Sequence, residues 1–193
     1  MTNYLLSIDP SIKNTGFTLW EKTKRISECE VDYREIEYIY KWKPIWVKSF
    51  DFKNIKKDDD FYKQIKYFIS KKIHFEEKIN GILDLIIERG TFHSKNGIGY
   101  ETQEHLRGFI AGQFNKLITK NMLISPSEWK KWYLKELRYD EDDLFKDKKW
   151  NKEKSLYIVR GLIRQQNWNI TISNHDEADS LLMGWYYLNK ENK

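Results

Sequence analysis

Three acidic positions, far apart in a chain of 193 residues, each stand in an apolar frame that should bury the backbone around them. Asp9 closes the run Leu5-Leu6-Ser7-Ile8, Glu88 closes Leu85-Ile86-Ile87, and Asp176 and Asp179 precede Leu181 and Leu182. A lone carboxylate at the end of an apolar strand is costly unless it is paired or holds a cation. Several of them together point to a site that gathers metal ions. Hard oxygen donors with few nitrogens suit magnesium, with manganese able to substitute, better than zinc. Two such ions can activate a water and stabilise a departing 3′ oxygen, the arrangement of many phosphodiester hydrolases. The chemistry indicated is that of a metal-dependent nuclease.

Each acid also has a plainer reading. Asp-Pro is a common turn opener, which would account for Asp9. Glu88 can form an ordinary ion pair with Arg89 or a lysine. Asp176 and Asp179 suit the first turn of a helix, where acids interact favourably with its dipole. Spacing favours the site: residues three apart share a helix face, so Asp176 and Asp179 lie side by side on a stripe that Leu182 and Tyr186 continue inward. The acidic end of that stripe points at the sheet. His175, four residues before Asp179, lies close to the same face as a ligand, a phosphate contact or an ordinary structural histidine. Residues 176–179 also spell Asp-Glu-Ala-Asp, the helicase box, but no glycine-rich Lys-Ser/Thr loop lies upstream. Asp176 opens a helix where that box would end a strand, so an ATPase is rejected.

The elements that must position these acids follow from hydrophobic periodicity. Strands are predicted at residues 4–9 and 16–20, joined into a hairpin through Asn14, Thr15 and Gly16. A third strand falls within 35–53, interrupted at Pro44. Phe61, Ile65, Phe68, Ile69, Ile73 and Ile79 recur at helical spacing and predict an amphipathic helix over 59–80, followed by a core strand over 81–88. Then come a helix over 101–120, a short strand over 121–125, and a helix over 127–137 with Ser127 as N-cap. An acidic loop covers 139–147, a helix 152–166, and a final helix 176–188 opened by a capping box of Ser173 and Asp176. Strands first, then alternating helix and strand, place the chain in the α/β class, as one domain over 1–193.

A formal net charge of +5 suits a polyanionic partner, although abundant lysines also serve as ordinary solvated surface. Many of the 8 Trp, 12 Tyr and 10 Phe sit beside lysine, as in Tyr40-Lys41-Trp42-Lys43, a pattern produced both by base-stacking surfaces and by amphipathic elements. Cys29 is the only cysteine, which excludes an intramolecular disulfide and a thiolate metal cluster within one chain. The start runs straight into a strand pattern and no apolar run reaches membrane-crossing length, so a soluble protein in a reducing cytoplasm is expected.

Several short motifs, in one order, carry a resemblance. Ile8-Asp9-Pro10 is followed by Thr15-Gly16-Phe17, then Leu85-Ile86-Ile87-Glu88, Ser125-Pro126-Ser127-Glu128-Trp129-Lys130, Glu153-Lys154-Ser155 and His175-Asp176-Glu177-Ala178-Asp179-Ser180-Leu181. In this combination the chain resembles RuvC-like Holliday junction resolvases of the ribonuclease H-like superfamily. The resemblance implies an α/β ribonuclease H-like fold, a five-stranded mixed sheet flanked by helices. It implies a homodimer whose two sites nick opposite strands of a four-way DNA junction, with Mg2+, two ions per site, held by Asp9, Glu88, Asp176 and Asp179. Lys130 and Lys154 fall where family lysines lie near the cleaved strand, which implies scissile-phosphate contact for both, with Lys154 counted in the catalytic set. Phe92 falls in a loop resembling the family's junction-probing segment, and helix 101–120 resembles its dimer helix.

The chain departs from the bacterial pattern by carrying Ser11 where glycine follows Asp-Pro, and by a longer interval between Asp9 and Glu88. Both are similar to a bacteriophage or other divergent branch, and both leave open junctions versus forks and other branched DNA. Two further alternatives remain: a ribonuclease H-like nuclease acting on RNA or RNA–DNA hybrid, and a non-catalytic junction-binding protein.

Overall fold

The computed structural model describes residues 4–11, 13–26, 38–51, 59–73, 83–90, 97–136 and 149–190. Five strands, β1 (Tyr4–Asp9), β2 (Asn14–Ile26), β3 (Tyr38–Asp51), β4 (Leu83–Glu88) and β5 (Leu123–Ile124), form one sheet in the order β3-β2-β1-β4-β5. β1 pairs antiparallel with β2 and β2 with β3, whereas β4 runs parallel to β1 and β5 parallel to β4. The helices are α1 (Asp59–Phe68), which continues into a π-helical turn at Ile69–Ile73, α2 (Gly97–Gln113), α3 (Pro126–Glu136), α4 (Lys152–Gln166) and α5 (His175–Asn189). This is the expected five-stranded mixed sheet with flanking helices.

Alternation along the strands sorts the core into two layers. Leu6, Ile8, Leu85 and Ile87 face α1 and α2, meeting Ile65, Ile69, Leu106, Ile110 and Phe114. Leu5 and Ile86 face the other way, toward Trp129 of α3, Ile158 and Val159 of α4, and Leu181 and Leu182 of α5. β1 is therefore covered on both faces, which explains an apolar run broken only by Ser7. The same alternation puts Asp9 on the face of Leu5 and Ser7, and Glu88 on the face of Ile86.

β2 runs six residues beyond its expected end. Past Glu21 it pairs only with β3, as a two-stranded ribbon without the apolar pattern a buried strand needs. The cross-strand pair Glu21–Lys43, at 3.3 Å, stands where that ribbon begins. Pro44 is accommodated because β3 is an edge strand and the register shifts there: Leu19 faces Trp46 and Trp20 faces Pro44, leaving Ile45 as the extra residue. The helix expected over 101–120 instead ends at Gln113, followed by Asn115, whose φ of 54° is left-handed. The Asn115 and Lys116 amides donate back to the Gly112 and Ala111 carbonyls, closing the helix end seven residues early. The C-terminal part of the helix expected over 59–80, the acidic loop 139–147, Cys29 and Phe92 lie outside the described residues.

α3 begins one residue earlier than expected, with Pro126 in its first turn and Ser125 ahead of it. The Ser125 amide donates to Glu128 Oε2 at 3.1 Å, so Ser125 rather than Ser127 holds the cap position. α5 is also capped differently. Asn174 is the N-cap, its side chain accepting from the Glu177 amide at 3.0 Å, while Glu177 Oε2 accepts from the Ser173 amide at 2.7 Å. The capping acid is Glu177, not Asp176.

α5 lies on β1 and β2 at very short range. A Cβ on Gly184 would stand 2.3 Å from Trp20 Nε1, and one on Gly16 would stand 2.0 Å from the Asp176 carbonyl oxygen. Ser7 Oγ donates to the Ser180 carbonyl at 2.8 Å, and the Thr18 and Ser180 hydroxyls are also 2.8 Å apart. Small side chains and satisfied hydroxyls thus seat the helix.

Candidate active site

Asp9 and Glu88 end neighbouring parallel strands. Ile8 is paired with Ile87, so the next residue on each strand brings the two acids side by side, both facing the layer that contains α5. Asp9 is also paired with Gly16, and the absence of a side chain at Gly16 lets the first turn of α5 settle beside it. That turn carries Asp176, and Asp179 follows one turn on. Four carboxylates from three elements therefore meet at the carboxyl end of the central strands.

Their electrostatics reflect this proximity. Burial pushes the Asp9 carboxyl well above its ordinary range, and Glu88, Asp179 and Asp176 push it further, with Lys130 opposing. Asp179 is raised to about 6 by burial; its hydrogen bond with Ser155 and the charge of Lys130 oppose the shift, Glu88 adds to it, and His175 opposes it. Glu88 is raised by burial against the lowering influence of Lys130, a hydrogen bond from Trp129, and Arg107. Like charges confined in a poorly solvated crevice favour a bound proton or a cation.

Individual contacts hold the acids in place. The Trp129 indole donates to Glu88 Oε2 at 3.0 Å. The Asn14 amide nitrogen donates to Asp176 Oδ2 at 2.6 Å, and His175 Nε2 stands 3.3 Å from Asp176 Oδ1. Arg107, buried, donates from Nε to the Glu88 carbonyl at 2.8 Å and pairs with Glu104 at 2.7 Å, clamping the end of β4. Two oxygens, Asp179 Oδ1 and Asn14 Oδ1, are buried with no hydrogen-bond partner. Among the described residues no three His, Cys, Asp or Glu side chains close on a common metal-binding point. Even so, orphaned oxygens among crowded carboxylates are the donor set a hard divalent cation takes, so the residues fit such an ion.

The other residues singled out from sequence are divided. Lys130 lies over the Trp129 ring, 4.8 Å from its centre, within electrostatic reach of Asp9, Glu88 and Asp179. His175 is at the site through Asp176. Lys154 is fully buried, its ammonium donating to the Lys149 carbonyl. Asn14, Arg107, Trp129, Trp150 and Ser155 were missed as site residues. Only Trp129 and Ser155 carried a signal, because they stand beside the motif lysines.

No family model matches the sequence, and no curated protein matches it. Solved structures do. The Thermus thermophilus RuvC structure aligns over 97% of this chain and 96% of its own, with a TM-score of 0.56 and 14% sequence identity. T. thermophilus RuvC in complex with Holliday junction substrate aligns over the same shares, with a TM-score of 0.52 and 13% identity. The fold is RuvC-like. Identity this low establishes a likeness of fold.

In this RuvC-like chain the four acids lie at the carboxyl end of the sheet, where open α/β sheets bind ligands. A cleft of about 560 Å3 opens nearby, along β5. Arg89, next to Glu88, lines it with Lys120 and Lys190, and all three are exposed. Glu128 also lines it but is engaged with the Ser125 amide. Among the described residues no helix is long and apolar enough to cross a membrane.

Proposed function

We propose that the chain is a single nuclease domain over 1–193, a magnesium-dependent, structure-selective DNA endonuclease that resolves four-way junctions by paired nicks. The observation that carries the reading is the meeting of Asp9, Glu88, Asp176 and Asp179 in one crevice, where the charges of Glu88, Asp179 and Asp176 each raise the Asp9 carboxyl. The RuvC-like fold, whose neighbour is described in complex with a Holliday junction substrate, supports branched DNA as the substrate class. Pairing of nicks requires a homodimer. The longer interval between Asp9 and Glu88 supports a divergent branch, such as that of a bacteriophage.

Asp9, Glu88, Asp176 and Asp179 would hold the divalent cations, with manganese able to replace magnesium. When bound, the cations supply a polarised water and charge for the departing 3′ oxygen. The protein's own groups do the rest. Trp129 and Asn14 fix the orientation of Glu88 and Asp176, leaving Asp179 Oδ1 and Asn14 Oδ1 free to turn toward a ligand. Lys130 places a positive charge where a phosphodiester would approach the acids, and His175 stands on the same side through Asp176. Lys154 is assigned to the scissile phosphate and the catalytic set from the resemblance, and its buried ammonium donates to the Lys149 carbonyl. Phe92 is assigned to base stacking from the sequence alone.

The test is cleavage of an immobile four-way junction in magnesium, beside a linear duplex, an RNA–DNA hybrid and single-stranded RNA. Symmetric nicks in the junction alone, leaving 5′ phosphate and 3′ hydroxyl ends, are expected. Asp9→Asn and Glu88→Gln should each lower the rate at least about 100-fold while junction binding persists. Undiminished cleavage by both variants would remove the assignment, and preferential cutting of hybrid or RNA would move the substrate to that class.

A further inference from the structure

Two tryptophans lie behind the acids and reach them by separate hydrogen-bond paths. Trp129, fully buried in the first turns of α3, donates its indole N–H to Glu88 Oε2 at 3.0 Å. Trp150, just ahead of α4, donates its indole N–H to Ser155 Oγ at 3.0 Å, and the Ser155 hydroxyl hydrogen-bonds Asp179. A serine hydroxyl has one proton, so an indole that occupies its acceptor side directs that proton to the carboxyl. The two rings meet edge to face, 5.0 Å apart at 83°. Tyr133 packs against both and ties them to α5, its hydroxyl donating to the Leu182 carbonyl at 2.8 Å. The rings of Trp129 and Trp150 thus form one rigid unit with a hydrogen bond toward an acid of β4 and a relay toward an acid of α5.

We propose that Trp129 and Trp150 are positioning residues that jointly set the Glu88 and Asp179 carboxylates for divalent-cation binding, Trp129 directly and Trp150 through Ser155. Apolar burial alone would be served equally well by phenylalanine, whereas both indoles spend their N–H on the path to an acid. Groups that orient metal ligands in this way typically change affinity by about 10- to 100-fold. The proposal rests on the metal-binding reading of the site.

The experiment is Mn2+ binding, followed by the loss of free-ion signal in electron paramagnetic resonance, for wild type, Trp129→Phe, Trp150→Phe and Ser155→Ala. Trp168→Phe is the control, since Trp168 belongs to the separate cluster with Trp20 and Trp185. Phenylalanine keeps a ring and lacks the N–H. Trp129→Phe and Trp150→Phe should each bind Mn2+ about tenfold more weakly, with Trp168→Phe unchanged. Adding Trp150→Phe to Ser155→Ala should cost little more, because both cut the same relay. A merely structural Trp150 predicts instead that the two losses multiply, and that result would overturn the relay. Wild-type affinity in Trp129→Phe and Trp150→Phe would overturn the clamp while leaving the metal site standing. Absence of Mn2+ binding by wild type would overturn the metal reading and this proposal with it.

Discussion

Asp179 illustrates how a single side chain senses the whole site. Its carboxyl, ordinarily near 3.8, is raised to about 6 by burial, so between those values the folded protein binds a proton more tightly than the unfolded chain. The associated stability is present below 3.8 and is lost as pH rises through 6. In chelator at pH 7, Asp179→Asn should therefore raise the unfolding free energy by about 1–3 kcal/mol. It should also flatten the decline in stability between pH 4 and 6, read by urea unfolding at a series of pH values. Added magnesium should stabilise wild type more at pH 7 than at pH 5. Lys130 acts in the opposite sense on Asp9, Glu88 and Asp179. Lys130→Met removes a charge that holds their values down, so the acidic limb of the cleavage pH–rate profile should move to higher pH. An unmoved limb would show that Lys130 does not govern the ionisation of the acids.

At the level of elements, the site depends on how closely α5 approaches the β1–β2 hairpin. Gly16 is not needed for an unusual backbone angle, since no glycine among the described residues has positive φ; it is needed for space. A Cβ there would press on the Asp176 carbonyl oxygen, a backbone atom that cannot swing aside. Gly16→Ala should cost about 1–3 kcal/mol in urea unfolding, as overpacking does, and should weaken Mg2+ binding by lifting Asp176 away from Asp9. Wild-type stability with wild-type metal affinity would mean the helix can shift without consequence. The Asn174 cap and the Glu177 bonds to Ser173 and Ser49 fix the rotation of α5 as well as its start. Glu177 is thus turned toward Ser49 of β3, while its neighbour Asp176 meets Asn14 at the start of β2.

For the molecule as a whole, the excess of positive charge is small, and what matters is where it lies. Arg89, Lys120 and Lys190 gather around a cleft that begins one residue beyond Glu88. If a DNA arm leaves the crevice by that route, Lys120→Glu with Lys190→Glu should weaken junction binding at least about tenfold. The slope of log affinity against log salt should fall by about 2, one per lysine contact. Fluorescence anisotropy across a salt series measures both, and an unchanged slope would send the arm elsewhere. The cleft is lined along β5, at the edge of the sheet opposite β3.

The order of the acids, the α/β class and the apolar frames around Asp9 and Glu88 were legible in the chain, because burial of a strand leaves a local pattern and a carboxylate at its end interrupts it visibly. Helix periodicity likewise announced α4 and most of α3 and α5. The ends of α2 and β2 were not legible: one is set by a left-handed asparagine, the other by pairing with a distant strand. Nor could periodicity say which of Asp176 and Glu177 caps α5, since both stand in its first turn. Ser49, 128 residues away, settles that by donating its hydroxyl to Glu177 Oε1 at 3.1 Å. Trp129 reaches Glu88 across 41 residues and Asn14 reaches Asp176 across 162, contacts that leave no trace in spacing. Local pattern reports what a segment must bury; orientation of a functional group is set by whatever the fold brings against it, and that arises only when the sheet and its helices close.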